Sequence, residues 1–77
     1  MNKARRDAIS KVMSALEDLR SQVETLKDEE NDYYENMPEG FQNSEKGEKA
    51  QEAANYLDEA YGALDEAFNA LENSVQD

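Results

Sequence analysis

The stretch LDEAYGALDEAFNALENSV, residues 57–75, repeats a seven-residue unit with little change. Leucine stands at positions 57, 64 and 71, and an aromatic ring follows four residues after each of the first two leucines. An apolar repeat of this length predicts an α-helix that packs along a partner helix. In heptad notation the a positions hold Ala54, Tyr61, Phe68 and Val75, and the d positions hold Ala50, Leu57, Leu64 and Leu71.

Alanine makes the apolar face of this helix wider than the a and d columns alone. The g positions hold Ala53, Ala60 and Ala67, and the c positions add Tyr56, Ala63 and Ala70. Columns c, g, d and a are contiguous on a helical wheel, and such a wide face indicates contact with more than one neighbouring helix. We therefore expect self-association through five residues of this helix: Ala53, Ala60, Ala67, Tyr61 and Phe68.

The first part of the chain follows the same rhythm. Steps of three and four residues from Ile9 to Met37 meet eight apolar residues among nine positions, and Glu30 is the exception. The a positions hold Ile9, Leu16, Val23, Glu30 and Met37, and the d positions hold Val12, Leu19, Leu26 and Tyr33. Neither proline nor glycine interrupts residues 1–36. The pattern predicts a helix over residues 3–36, with its a and d columns against the second helix.

Pro38 is expected to end the first helix, because proline disfavours the helical conformation in the residue before it. We predict a turn over residues 37–43, which include the turn-forming sequence PEG. Asn43 or Ser44 then caps a second helix over residues 44–75 by accepting a hydrogen bond from an unpaired backbone N–H.

The expected fold is all-α, with one domain over residues 1–77. Because the connection is short, the two helices are predicted to form an antiparallel hairpin that resembles a coiled coil. A single hairpin does not cover the wide apolar face, and two copies would cover it as a homodimeric four-helix bundle. An extended monomer with small residues on its outer face is the alternative.

The chain carries a formal net charge of −11, from 19 acidic and 8 basic residues. Residues 1–27 have a balance of +2, whereas residues 28–50 and 51–77 carry −6 and −7. A charge of this size favours basic partners over nucleic acid or an anionic membrane surface. We therefore expect a basic protein surface as the partner, with no direct binding to nucleic acid and no membrane association.

The residue inventory argues against catalysis. Without cysteine or histidine, the chain lacks the commonest general base and the commonest zinc ligands. Its glycines, Gly40, Gly47 and Gly62, are scattered and match no phosphate-binding loop. The acidic run DEENDYYE lacks the alternating ligands and central glycine of a calcium loop. We expect a protein that is not an enzyme and that has no cofactor and no metal site.

No stretch of the sequence approaches the roughly 18 apolar residues of a membrane span. The start, MNKARRDAISKVMSAL, is basic, but Ser10, Lys11 and Ser14 interrupt the apolar run that a signal peptide requires. The expected location is the cytoplasm.

The stretch DEENDYYENMPEGFQNSEKGEK, residues 28–49, combines many acids with three of the six aromatic residues. In one interpretation Tyr33, Met37 and Phe41 close the end of the bundle as an apolar plug. In the other, the turn carries an exposed aromatic patch with a polar rim, which is typical of protein-binding hot spots. The partner-binding residues are then Tyr34, Met37 and Phe41, the rim acids Glu35 and Glu39, and the acids of the second helix, Asp58, Glu59, Asp65 and Glu66.

The stretches YYENMPEGFQNSEKGEKAQEA and LDEAYGALDEAFNALE resemble parts of short acidic uncharacterised proteins of bacteriophages and mobile elements of Gram-positive bacteria. The likeness covers residues 28–75, and its turn is more specific than its heptads, which any acidic coiled coil would share. The resemblance carries over no established activity residue by residue.

The resemblance does suggest a class of function. Small acidic phage proteins often act as inhibitors that occupy the nucleic-acid-binding surface of a host defence enzyme, as many anti-CRISPR proteins do. It therefore implies a phage-encoded inhibitor or adaptor that mimics the charge of DNA in the host-cell cytoplasm. The alternative is a self-assembling structural coiled-coil protein whose acids only face solvent.

Overall fold

The computed structural model of the protein describes residues 1–76 and contains three helices. They are α1 (Lys3–Glu35), α2 (Glu39–Gln42) and α3 (Glu45–Ser74). The described residues form no strand, and the predicted all-α class is confirmed. The molecule is a rod that measures 58 × 14 × 13 Å along its principal axes.

Helix α1 begins at a side-chain cap and ends before a proline. Asn2 has extended backbone angles, and its Oδ1 accepts a hydrogen bond of 2.8 Å from the N–H of Arg5. At the other end the N–H of Asn36 still donates to the carbonyl of Asp32, at 2.9 Å. Pro38 has φ −55° and ψ 145°, which takes the chain out of the helical conformation.

The connection contains a helix where the sequence predicts a turn. The carbonyl of Pro38 accepts from the N–H groups of Phe41 and Gln42, at 2.8 and 3.1 Å, and so starts the single turn of α2. Ser44 stands at the cap position of α3, but its hydroxyl donates to the carbonyl of Phe41 and does not cap α3. The backbone of α2 is thereby tied to the start of α3.

Helices α1 and α3 run antiparallel and pack along their length. Arg20 pairs with Asp65 and Lys27 pairs with Asp58, so residue numbers rise on α1 as they fall on α3. The half-buried residues of α1, together with Met37 just beyond its end, follow one another at alternating intervals of four and three. They are Ile9, Met13, Leu16, Arg20, Val23, Lys27, Glu30, Tyr34 and Met37.

These residues differ from the predicted contact with α3, which consisted of columns a and d, in one of the two columns. Column a of α1 does contact α3, but the second column in the contact is e, which contains Arg20 and Lys27. The residues of column d remain between 46% and 50% exposed, and they are Val12, Leu19, Leu26 and Tyr33. The physical reason lies in the two cations, because their attraction to acids and aromatic rings of α3 turns column e toward that helix.

The buried core is small. Ala50 and Ala54 are the only buried apolar residues in the described part of the chain, and no large side chain there is fully buried. The leucines and aromatic rings of the α3 repeat are half-buried, with one side against α1. Stability therefore depends on half-covered side chains spread along the rod.

Gly47 is the place where the backbone approaches most closely. It is buried, and a Cβ there would collide with the backbone carbonyl groups of Gln42 and Phe41. We expect Gly47→Ala to lower the free energy of unfolding by about 1–3 kcal/mol. The matched control is Gly62→Ala, where a Cβ would meet nothing within 4 Å, and which should raise stability by about 0.5–1 kcal/mol.

Urea unfolding followed by circular dichroism measures both glycine variants. A stabilising effect of Gly47→Ala would contradict the packing of α2 against the start of α3.

Glu30 is a half-buried carboxylate in an otherwise apolar column of α1. We expect Glu30→Leu to raise the free energy of unfolding by about 1 kcal/mol, because the leucine gains apolar contact with α3. Asp28→Leu on the exposed side of α1 serves as the control and should change stability little. Thermal unfolding compares the two, and an equal response would show that position 30 lies outside the contact.

Candidate protein-interaction surface

The connection between α1 and α3 forms an apolar hollow at one end of the rod, here called the tip hollow. Its volume is about 310 Å³, and it is lined by Tyr33, Asn36, Met37, Pro38, Phe41 and Lys46. Phe41 remains 56% exposed, whereas Met37 is half-buried. The exposure of Phe41 does not fit its interpretation as an apolar plug, because an aromatic plug would be covered.

Two contacts hold Phe41 in this outward position. The side-chain amide of Gln42 donates to the carbonyl of Tyr34, at 3.3 Å, and so fixes α2 to the end of α1. The close approach of Gly47 to the backbone of α2 fixes it to α3. Phe41 thus stands on a short helix held at both ends, which favours a preformed binding surface over a flexible one.

Tyr34 lies elsewhere, although the sequence groups it with Phe41. It is half-buried and lines a second hollow of about 370 Å³ with Asn31, Glu35, Gln51, Ala54 and Asn55. The tip hollow instead contains the neighbouring ring, Tyr33, and Lys46 Nζ lies 5.9 Å from the centre of that ring. The predicted partner-binding aromatic residues are therefore divided between two hollows.

Charged side chains lie beside these hollows. Glu35 and Glu39 are both exposed, and Glu39 opens the single turn of α2 next to Pro38. Lys46 is the basic residue of the tip hollow, and sequence reasoning missed it. The sequence could have indicated Lys46 through its position g in the α3 heptads, because Lys46 continues the alanine column toward the turn.

Two of the four acids of α3 that were predicted to bind a partner form ion pairs within the chain. Asp58 pairs with Lys27 at 3.3 Å, and Asp65 pairs with Arg20. Arg20 also lies over two rings of α3, 5.9 Å from the centre of Tyr61 and 5.3 Å from that of Phe68. These two aspartates therefore hold α3 against α1, and their charge is partly compensated by the cations of α1.

The remaining acids of α3 point outward. Glu59 and Glu66 are exposed, and Glu52 is exposed one heptad earlier. We call these three residues the glutamate column. Sequence reasoning did not include Glu52, although the seven-residue spacing from Glu59 was the signal for it. A regular column of negative charge can attract lysine and arginine side chains of another protein.

The residues predicted for self-association occupy two different environments. Tyr61 and Phe68 are half-buried against the cations of α1. Ala60 and Ala67 are exposed, and Ala53 is half-buried. Only the alanine column is therefore open along most of its length.

The described residues contain no group of three His, Cys, Asp or Glu side chains placed to share a metal ion. No helix among them is both long enough and apolar enough to cross a membrane. Comparison of the chain with protein-family models, with curated proteins and with solved structures gives no match. The tip hollow and the glutamate column are the candidate interaction surfaces of the chain.

Truncation of Phe41 and of Tyr34 should have unequal effects on stability. We expect Phe41→Ala to change the free energy of unfolding by less than about 1 kcal/mol, because the ring is largely exposed. Tyr34→Ala should cost about 2 kcal/mol, because its half-buried ring packs near Ala54. Urea denaturation of both variants measures this difference, and a larger loss for Phe41→Ala would restore the plug interpretation.

Proposed function

We propose that the protein is a non-enzymatic binding module that docks on a basic surface of another protein. The observation that carries this proposal is the tip hollow, in which Phe41 stands exposed on a fixed support. Exposed aromatic anchors with polar surroundings supply much of the binding energy in protein interfaces. The exposed acid Glu39, which follows Pro38 of the hollow in the chain, favours a partner with lysine or arginine beside an apolar centre.

The charge of the chain narrows the class of partner. A net charge of −11 accelerates encounter with positively charged surfaces and disfavours acidic ones. Proteins that bind nucleic acid present such positive surfaces, since they neutralise phosphates with lysine and arginine. In this proposal the glutamate column approaches a surface of that kind and competes there with nucleic acid.

The inhibitory form of this activity is the one that the expected resemblance to acidic phage proteins implies. The module would then be phage-encoded and would act in the host-cell cytoplasm on a defence protein, as an anti-CRISPR-like mimic of nucleic acid. An adaptor that links a basic protein to another component would use the same surfaces.

The proposed functional form of the chain is a helical hairpin that pairs with a second copy into a four-helix bundle. Support comes from the small core, because no large side chain is fully buried in the described part of the chain. Chains of this length bury little surface when they fold alone, and association of two copies adds the missing burial.

A second candidate function is self-assembly, in which the protein is a structural coiled coil and its main partner is itself. The half-exposed apolar column of α1, which contains Leu19 and Leu26, favours this candidate. Strong self-association without a basic partner would then be observed, and the glutamate column would only face solvent.

A capture experiment from bacterial lysate tests the proposed binding. The immobilised chain should retain a nucleic-acid-binding protein that is released by salt and displaced by added DNA or RNA. Phe41→Ala should weaken the purified complex by about 2 kcal/mol or more, roughly thirtyfold in Kd, if its ring is the anchor. Titration calorimetry or surface plasmon resonance measures this change.

The contribution of the glutamate column has its own charge-matched control. The triple variant Glu52→Gln, Glu59→Gln and Glu66→Gln should slow association and reduce its salt dependence. A control with the same change in net charge replaces exposed acids of α1: Glu17→Gln, Glu24→Gln and Asp28→Asn. If the two triple variants had equal effects, the glutamate column would contribute only through the net charge of the chain. Recovery of the chain alone from the lysate would favour self-assembly.

A further inference from the structure

A straight apolar column on α1 is left without a neighbour in the single chain. We call it the outer stripe, and it consists of Val12, Leu19, Leu26 and Tyr33. Its members are spaced by seven residues, so they follow one side of the helix for roughly 30 Å at ~1.5 Å per residue. All four side chains are between 46% and 50% exposed, which is unusual for large apolar residues in a regular repeat.

A contact at the tip shows which part of α3 lies beside the outer stripe. Lys46, at position g of the α3 heptads, lies over the ring of Tyr33, the last member of the stripe. Column g of α3 therefore runs along the same side of the rod as the stripe, and its next members are Ala53, Ala60 and Ala67. Large residues on α1 and small residues on α3 together form one apolar face.

The dimensions of the rod set the largest interface that two copies can form. A side of the rod measures 58 by 14 Å, or roughly 800 Å², which is about the area that a standard interface buries on each partner, and the outer stripe follows about half of that length. The glutamate column lies at position f of α3, away from column g, so it does not interrupt the face. An apolar surface of this length and flatness suits another rod of the same kind.

We propose that a second copy of the chain covers this face, with the two rods antiparallel and their tips at opposite ends. This inference rests on the proposed pairing of two copies and specifies its surface and direction. The outer stripes of the two copies pack against each other, so that Val12 contacts the partner's Tyr33 and Leu19 contacts the partner's Leu26. The same surface patch then serves both copies, as twofold symmetry requires.

The distribution of charge along α1 favours this direction. Residues 3–11 contain four bases and one acid, whereas residues 28–39 contain six acids and no base. The antiparallel arrangement lays the basic start of each α1 over the acidic end of the partner's α1. The opposite arrangement, with both tips at one end, would bring the two most acidic segments together and so oppose association.

The arrangement has a consequence for binding. Phe41 and the tip hollow of each copy lie at opposite ends of the dimer, roughly 45 Å apart along its axis at ~1.5 Å per residue in this register. The glutamate columns remain on the outside of the bundle. The dimer is therefore bivalent, with two apolar tips that are too far apart to dock on one small site.

Sedimentation equilibrium with Leu26→Lys tests the surface. The unchanged chain should sediment as a dimer, and Leu26→Lys should halve the apparent mass, because a charged side chain would be buried in the interface. Ser21→Lys adds the same charge on the other side of α1 and should remain dimeric. Circular dichroism confirms that each variant is helical, which is expected because Leu26 is half-exposed in the single rod.

Single cysteines test the direction in a chain that has none of its own. Gln22 lies beside the centre of the outer stripe, so Gln22→Cys should bring two thiols together across the twofold axis. A short thiol-reactive cross-linker should then give at least about tenfold more linked dimer than with Ser21→Cys, because the paired copies raise the effective concentration of the thiols. Gly40→Cys at the tip should give no linked dimer.

These experiments test the pairing of two copies independently of the proposed docking on a basic protein. A monomeric unchanged chain would overturn the pairing and the surface together. A dimer that survives Leu26→Lys would overturn the surface, and linkage through Gly40→Cys without linkage through Gln22→Cys would overturn the direction. Loss of target binding by Phe41→Ala, measured on dimeric protein, belongs to the proposed function alone.

Discussion

Arg20 and Lys27 determine how the two long helices face each other. Each forms an ion pair with an aspartate of α3, and each lies within 6 Å of an aromatic ring of that helix. An exposed ion pair alone contributes only about 0–1 kcal/mol, and a cation–ring contact at such a site contributes about 0.5–1 kcal/mol. Because all of these contacts lie in one column of α1, they act together and turn that column toward α3. The apolar column on the other side of the seam, which contains Leu19 and Leu26, is consequently left outside.

The same rotation explains why the chain has a small core and a long apolar face. The residues of column a of α1 pack against α3, but the leucines of α3 are covered on one side only. The only apolar residues buried within the described residues are Ala50 and Ala54, near the tip where Gly47 allows α2 to approach. In the proposed dimer, stability and association are coupled, since a second rod would bring the surface that completes the core. Of the residues that line the tip hollow, Tyr33 belongs to this face, whereas the exposed Phe41 does not and remains available for another partner.

The sequence was sufficient to predict the helical class, because seven-residue repeats without internal proline in either long segment are incompatible with strands. It was not sufficient to predict the rotation of α1. An apolar residue at position d, such as Leu19, normally packs between two helices better than a cation at e, and the aspartates and rings of α3 together reverse that preference. The single turn of α2 and the exposure of Phe41 were also not predictable, because both depend on the close backbone approach at Gly47. The place of Glu52 in the glutamate column, in contrast, was predictable from its seven-residue spacing from Glu59.

Isotope-filtered nuclear Overhauser spectroscopy on a mixture of labelled and unlabelled chains tests the rotation of α1 most directly. The method separates contacts within one chain from contacts between copies. We expect cross-peaks between Arg20 and the ring of Phe68 within one chain, and between Leu19 and Leu26 only between copies. Cross-peaks within one chain from Leu19 to the ring of Phe68, with Arg20 in solvent, would contradict the rotation.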